Sequence, residues 1–181
     1  MKSFCCAVLP AVLLLAAVSG CRTGGPAGSP TAPPSKLPDA GKYTIYVMTS
    51  TGSIQGLDAQ EYKQREQVRE YMEKEMISLL SKRGGFKAQA VRRQSEFRGA
   101  LNEYLLSIQI VRYDAGNKAT RMLSGYGDAG AASLDIRYEI YGSSPTAILS
   151  TPDGVGSGRD WNYCVRKLNE NMLKAITAKI R

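Results

Sequence analysis

The chain has 181 residues, 43% of them hydrophobic, a composition that fits one folded domain with an additional segment. It contains no histidine, which excludes imidazole-activated serine or cysteine nucleophiles and histidine metal sites. The formal net charge of +8 raises two classes of anionic partner, nucleic acid and an anionic membrane.

The first 21 residues carry the pattern of an export signal. Lys2 gives a positive start, and residues 4–17 contain no charge. This apolar stretch is shorter than the ~20 residues that a transmembrane helix needs. Val18-Ser19-Gly20-Cys21 follows it and resembles a bacterial lipobox, whose cysteine becomes the lipidated amino terminus. The alternative is an ordinary signal peptide cut near Ser19 or Gly20.

The lipobox resemblance implies a location and a redox state. Residues 1–20 would be a removed signal peptide, and Cys21 would carry a diacylglyceryl group. Arg22, where inner-membrane lipoproteins tend to carry Asp, favours a periplasm-facing protein of the outer membrane. Cys164 is then the one unmodified thiol of the mature chain, so no intrachain disulfide is expected. Export also argues against nucleic acid as the partner.

Residues 21–41 comprise this cysteine and a tether. Residues 22–41 contain four Gly and five Pro, a composition that cannot bury enough apolar surface to fold. As a flexible coil the tether would span roughly 25 Å. A single periplasmic domain is expected to follow, over residues 42–181.

The domain alternates strand and helix signals. Residues 43–48 predict a first strand, and Asp58 with Glu61 has the spacing of a capping box before an amphipathic helix that ends at Gly84-Gly85. Strands are predicted over 86–91, 104–113 and 133–141, with a short edge strand over 146–151. Asp160 precedes a closing helix. The order β-α-β-β-β-(β)-α predicts an α+β, two-layer sandwich: a mixed sheet with both helices on one face and the other face wet.

Three candidate chemistries have simpler explanations. Residues 125–130 match G-x-G-x-x-G, but the fingerprint needs a strand before it and a helix after it, so a glycine-rich connection is favoured and no cofactor is expected. Cys164 lies on the apolar side of the last helix and reads as a buried, inert thiol. Asp135 and Glu139 are too far apart along a strand for a glycosidase pair, which favours solvated or cross-strand charge pairs.

Two surfaces are candidate partner contacts. A basic run, comprising Lys82, Arg83, Lys87, Arg92, Arg93 and Arg98, contains one acid, Glu96. It predicts either an electrostatic contact with anionic lipid, cell-wall polymer or an acidic partner, or simply a helix end and a solvated loop. Tyr46, Tyr113 and Tyr141 are expected on the open face of the sheet, where they form either a binding surface or ordinary exposed tyrosines.

Residues 104–150 also resemble a known family. Gly116-Asn117, Arg121 and the glycines at 125, 127 and 130 precede an alternating strand. This arrangement is similar to a large family of bacterial lipoproteins catalogued as a domain of unknown function, although Gly142-Ser143-Ser144-Pro145 replaces that family's usual Asp-x-x-Thr-Gly turn. The element order is more distantly similar to the TolB amino-terminal domain, the curli-secretion lipoprotein and the lipoprotein activators of penicillin-binding proteins. The resemblance implies no activity and no catalytic residues.

Taken together, these features predict a non-enzymatic, membrane-anchored module that binds or assembles an envelope component. Two alternatives stay open: an envelope hydrolase acting through Asp or Glu, and a subunit of a homo-oligomeric outer-membrane assembly.

Overall fold

A computed structural model describes residues 39–117, 120 and 130–181. Its strands are β1 (Thr44–Ser50), β2 (Lys87–Ala90), β3 (Glu103–Asp114), β4 (Ala132–Tyr141) and β5 (Ala147–Ser157). Its helices are α1 (Ala59–Lys82) and α2 (Trp161–Ile180), and a short 3₁₀ turn spans Gln94–Glu96. The predicted α+β class and element order are confirmed.

The five strands form one mixed sheet in the order β2-β1-β3-β4-β5. β1 pairs in parallel with both β2 and β3, whereas β3, β4 and β5 form an antiparallel meander. Because α1 separates β1 from β2, it supplies the crossover that two parallel neighbours need. β3 lies beside β1 and not beside β2, so residues 91–102, named here the crossover segment, must pass across β1.

The helix starts follow from their capping residues. The Asp58 carboxylate accepts hydrogen bonds from the backbone N–H groups of Gln60 and Glu61 at 2.7 and 2.8 Å, and the Glu61 carboxylate accepts the Asp58 N–H at 2.9 Å. This is the predicted capping box. Asp160 is the N-cap of α2, where its carboxylate accepts the Tyr163 N–H at 3.0 Å. Gly85 adopts a φ of +67° just after α1, the conformation that ends helices at glycine.

The core lies between the sheet and the two helices. Burial alternates along the strands, and each helix buries one stripe, so the inward side chains form a single cluster. Both helices therefore cover the same face of the sheet, as predicted. Fully or almost fully buried members include Ile45, Val47, Met72, Met76, Leu80, Ile108, Ile136, Leu168, Met172 and Ile176.

Neither helix in the described part of the chain is long and apolar enough to cross a bilayer.

Candidate functional site

The sheet face turned away from the helices, named here the open face, is the candidate site. On β4, Leu134, Ile136, Tyr138 and Ile140 point into the core. Their neighbours Asp135, Arg137, Glu139 and Tyr141 therefore lie on the open face, because successive strand residues point to opposite sides.

The crossover segment covers one end of this face. Phe97 packs on Tyr46 of β1 with ring centroids 5.7 Å apart, and the Tyr46 hydroxyl donates to Glu103 Oε1 at 3.1 Å. Leu105 pairs with Tyr46 on one side and Tyr141 on the other, and it is fully buried although it lies outside the main core cluster. The expectation that this whole face is wet is therefore wrong, since a second, smaller apolar cluster occupies part of it.

The rest of the open face carries several charged side chains. Arg112 Nε donates to Asp135 Oδ2 at 2.9 Å, and the two residues are register partners on β3 and β4. A cross-strand charge pair is one of the two arrangements that the sequence leaves open for Asp135, but the sequence does not identify Arg112 as its partner. The Arg112 side chain is 68% exposed, so the pair contributes at most about 1 kcal/mol to stability.

Glu139 is the most constrained carboxylate of the open face. It accepts the Tyr141 hydroxyl at 2.5 Å and the Ser150 hydroxyl at 3.0 Å. These hydrogen bonds, Tyr141 first, hold the pKa of Glu139 below its ordinary value, and the charge of Arg137 adds to the effect. A general acid needs the opposite change.

A groove of about 330 Å³ runs beside the Arg112–Asp135 pair. Val111, Asp135, Arg137, Pro152 and Gly154 contribute to its lining. A Cβ atom on Gly154 would lie 2.5 Å from Asp135 Oδ1. Because glycine has no side chain, the Asp135 carboxylate can lie against β5 at this position. The groove thus combines a small apolar floor with both signs of charge.

Tyr113 does not belong to this face. The register of β3 against β4 shifts between Ile110 and Arg112, which leaves Tyr113 opposite the buried Leu134. The shift is a β-bulge, and one extra residue moves every later side chain to the other face. Tyr113 packs against the core instead, and burial raises the pKa of its phenol. The prediction that it would join Tyr46 and Tyr141 is wrong.

The basic run is divided between the two ends of β2. Arg92 follows β2 and pairs with Glu73 Oε1 of α1 at 3.5 Å, next to the buried Arg69. Arg93 is exposed beside it. Lys82, Arg83 and Lys87 precede or begin β2, at its other end. The run is therefore not one continuous surface.

Arg98 lies on the crossover segment, close enough to Tyr46 for its charge to lower the pKa of that phenol. Burial, followed by hydrogen bonding to Glu103, outweighs this small effect, so the pKa of Tyr46 is raised overall. Of the predicted contact residues, Tyr46 and Arg98 thus lie together at the open face. Arg92 and Arg93 instead follow the carboxyl-terminal end of β2.

Of the two cysteines singled out in the sequence, the structure describes Cys164 but not Cys21. Cys164 is fully buried, its thiol donates to the Ala132 carbonyl at 3.7 Å, and burial raises its pKa. An inert thiol, the predicted state, follows. Cys21 and most of the glycine-rich stretch at 125–130 lie outside the described residues. Within the described ranges, no group of three or more acidic or cysteine side chains could hold a metal ion.

Several residues of the open face escaped sequence reasoning. Arg112 and Val111 owe their placement to the bulge, which leaves no local signal. Phe97 lies in a polar, ambiguous stretch, and Leu105 belongs to the adjacent pair Leu105-Leu106 that occupies both faces of β3. That pair was a usable signal, because a strand with two consecutive leucines has an apolar residue on each face.

Several solved structures are similar to this chain at low sequence identity. A PelC dodecamer from Paraburkholderia phytofirmans is 11% identical, with 78% of this chain and 88% of that chain covered and a TM-score of 0.45. A single-substitution variant of that dodecamer is 10% identical, with 77% of this chain and 89% of that chain covered and a TM-score of 0.46. A neuraminyllactose-binding hemagglutinin homolog from Helicobacter pylori is 9% identical, with 78% of this chain and 84% of that chain covered and a TM-score of 0.40. No curated protein matches the chain in sequence.

A family model does match. It is described as a domain of unknown function, DUF4410, and it covers residues 45–160, from β1 to the capping residue of α2. This range contains the sheet apart from Thr44, the crossover segment and every open-face residue described above. Because the match covers more than half of the chain, the protein belongs to the DUF4410 family.

Proposed function

We propose that this chain is a lipid-anchored protein of the bacterial outer membrane, and that its periplasmic domain holds or assembles another envelope component without transforming it. The observation that carries the proposal is Val18-Ser19-Gly20-Cys21, placed directly after a charged start and the uncharged residues 4–17.

The state of the reactive side chains favours binding over catalysis. Asp135 is paired with Arg112, and Glu139 is held as a carboxylate by Tyr141 and Ser150. Cys164 is buried and its pKa is raised, which disfavours the nucleophilic thiolate. Both carboxylates therefore have hydrogen-bond partners within the protein, as expected for a structural or binding surface.

The open face supplies the surface for such a partner. Its groove presents Val111, which is 56% exposed, between charged groups of both signs. An apolar contact surrounded by charges suits a protein partner of the envelope better than a uniformly anionic polymer.

Two cysteine variants test the anchor. Cys21→Ser is expected to abolish metabolic labelling with palmitate and to release the protein from the membrane fraction. Cys164→Ser removes a thiol from the same chain and is the matched control, with labelling and fractionation unchanged. Lipid labelling that survives Cys21→Ser would contradict the proposal.

Photo-crosslinking tests the open face. A photoreactive amino acid replaces Gln109, which is exposed on the open face, or Lys174, which is exposed on α2. We expect a discrete adduct in living cells from position 109 and none from position 174. Turnover of an envelope substrate that Asp135→Asn or Glu139→Gln abolishes would instead establish an enzyme.

A further inference from the structure

One end of the domain collects the ends of several elements. Gly41 N–H donates to the Gly85 carbonyl at 2.7 Å, and Thr44 N–H donates to the Asn102 carbonyl at 2.9 Å. Arg181 Nη2 donates to the Gly84 carbonyl at 2.6 Å. The start of the domain, the end of each helix and the loop before β3 therefore lie together.

This end is strongly basic, and we name it the basic end, defined by six exposed cations. Beyond Glu75, α1 carries no further acid, and the same holds for α2 beyond Glu170. Lys42 and Arg83 have acidic partners, Asp39 at 3.4 Å and Glu170 at 3.3 Å, both in exposed pairs. The six cations are Lys42, Lys82, Arg83, Lys87, Lys179 and Arg181.

An apolar side chain projects from the same end. Leu101 is 90% exposed, the most exposed large hydrophobic side chain among the described residues. Its loop is held in shape: Gly99 and Asn102 both have a φ of +66°, and Glu103 N–H donates to the Ala100 carbonyl at 3.0 Å. An exposed leucine at the same end of the domain as six exposed cations is an arrangement suited to a charged lipid interface, which takes up both apolar and cationic side chains.

We infer that the basic end docks on an anionic lipid bilayer, with Leu101 entering the headgroup layer. The inference rests on the proposed lipid anchor, because the tether joins the domain at this end, at Asp39–Tyr43. The flexible coil that the composition of residues 22–41 predicts would span roughly 25 Å and would keep these cations within reach of the surface. The domain then stands with its helix C-termini toward the membrane, and the open face is left accessible from the side.

Cations at helix C-termini also have a structural explanation, since they offset the helix dipole. That explanation covers Lys82 and Lys179 but not Lys42, Lys87 or the exposed Leu101. A soluble polyanion would satisfy the cations equally well, and it would gain nothing from Leu101. The dependence of binding on Leu101 therefore distinguishes a bilayer from a soluble polymer.

The test uses the chain from residue 21 carrying Cys21→Ser, which keeps every described residue and has no lipid. Its co-sedimentation is measured at low salt with vesicles of phosphatidylethanolamine containing about 30% phosphatidylglycerol, and with phosphatidylcholine vesicles. We expect binding to the anionic vesicles alone, and loss of binding as salt rises.

Matched variants locate the contact. Lys82→Gln with Lys87→Gln should weaken binding about fivefold per charge, roughly 25-fold for the pair. Lys63→Gln with Lys167→Gln removes the same charge near the helix N-termini and should leave binding nearly unchanged. Leu101→Ser should weaken binding about tenfold, whereas Ile54→Ser, an exposed apolar residue near the start of α1, should not. Circular dichroism verifies that each variant is folded.

Three results would overturn the inference: equal binding to the two kinds of vesicle, an equal loss with the Lys63 and Lys167 pair, or unchanged binding with Leu101→Ser. None of them bears on lipidation, because the protein tested has no Cys21. Failure of the docking surface and failure of the anchor are thus distinguishable.

Discussion

Glu139 is fixed by two hydroxyl groups from its own strand and the next. Tyr141 lies two residues along β4 on the same face, and Ser150 is the register partner of Glu139 on β5. Both hydroxyls donate to the ionised carboxylate, so protonation costs their hydrogen bonds and the pKa falls. The same contact raises the pKa of the Tyr141 phenol.

Tyr141→Phe should raise the pKa of Glu139 toward its ordinary value of 4.5. Because the native pKa is lowered, the associated stability is present above the unfolded value and is lost as pH falls through the native one. The variant should therefore be less stable than the parent at pH 7 and nearly equal to it in acid. A carbon-detected NMR titration of the carboxyl measures the pKa, and unchanged values in both Tyr141→Phe and Ser150→Ala would refute the account.

Two glycines of the loop after β1 offer a matched comparison. Gly52 and Gly56 have φ values of +73° and +82°. A Cβ on Gly52 would lie 2.0 Å from the Ile110 carbonyl oxygen, beside the β3 bulge, whereas a Cβ on Gly56 meets nothing within 4 Å. Gly56→Ala should cost about 1–2 kcal/mol from backbone strain alone, and Gly52→Ala roughly 1–3 kcal/mol more. Urea unfolding measures both, and equal losses would contradict the predicted clash.

At the level of elements, the crossover segment is the least expected part of the fold. It connects two strands that both lie parallel to β1 on opposite sides of it. Its path across the open face is stabilised by Phe97 on Tyr46, above the buried Leu105. The segment therefore turns what would be a wet face into a partly covered one.

Phe97→Ala should uncover this small cluster. We expect a loss of about 2 kcal/mol, less than for a fully buried phenylalanine, and faster hydrogen exchange in residues 91–102. Leu101→Ala, in the same segment but 90% exposed, is the control and should change stability by less than about 0.5 kcal/mol. If both variants lose the same stability, Phe97 does not hold the segment in place.

The helices and most strands were predictable because their signals are local. Asp58, Glu61 and Gly85 mark the ends of α1, and the alternation in residues 133–141 marks β4. The place of β3 beside β1 has no such signal, since parallel pairing joins residues far apart in sequence. The bulge near Arg112 likewise has no local signature, so the sequence pattern places Tyr113 on the wrong face and does not indicate the groove beside Asp135.

At the scale of the whole domain, Cys164 lies where the layers meet. It sits on α2, its thiol contacts the Ala132 carbonyl of β4, and it is fully buried within the common core. Local motion of a surface loop does not expose the Cys164 thiol, because α2 must first detach from the sheet.

A thiol reagent should therefore report opening of the entire two-layer structure. In the protein carrying Cys21→Ser, we expect Cys164 to react at least ~1,000-fold more slowly in the native state than in denaturant. Ser150→Cys, exposed on the open face, should react at once in the same chain. The Cys164 rate should rise with urea in parallel with the loss of helical circular dichroism, since both then follow global unfolding. Rapid native labelling of Cys164 would mean that α2 detaches from β4 independently, and that the two layers do not form one cooperative unit.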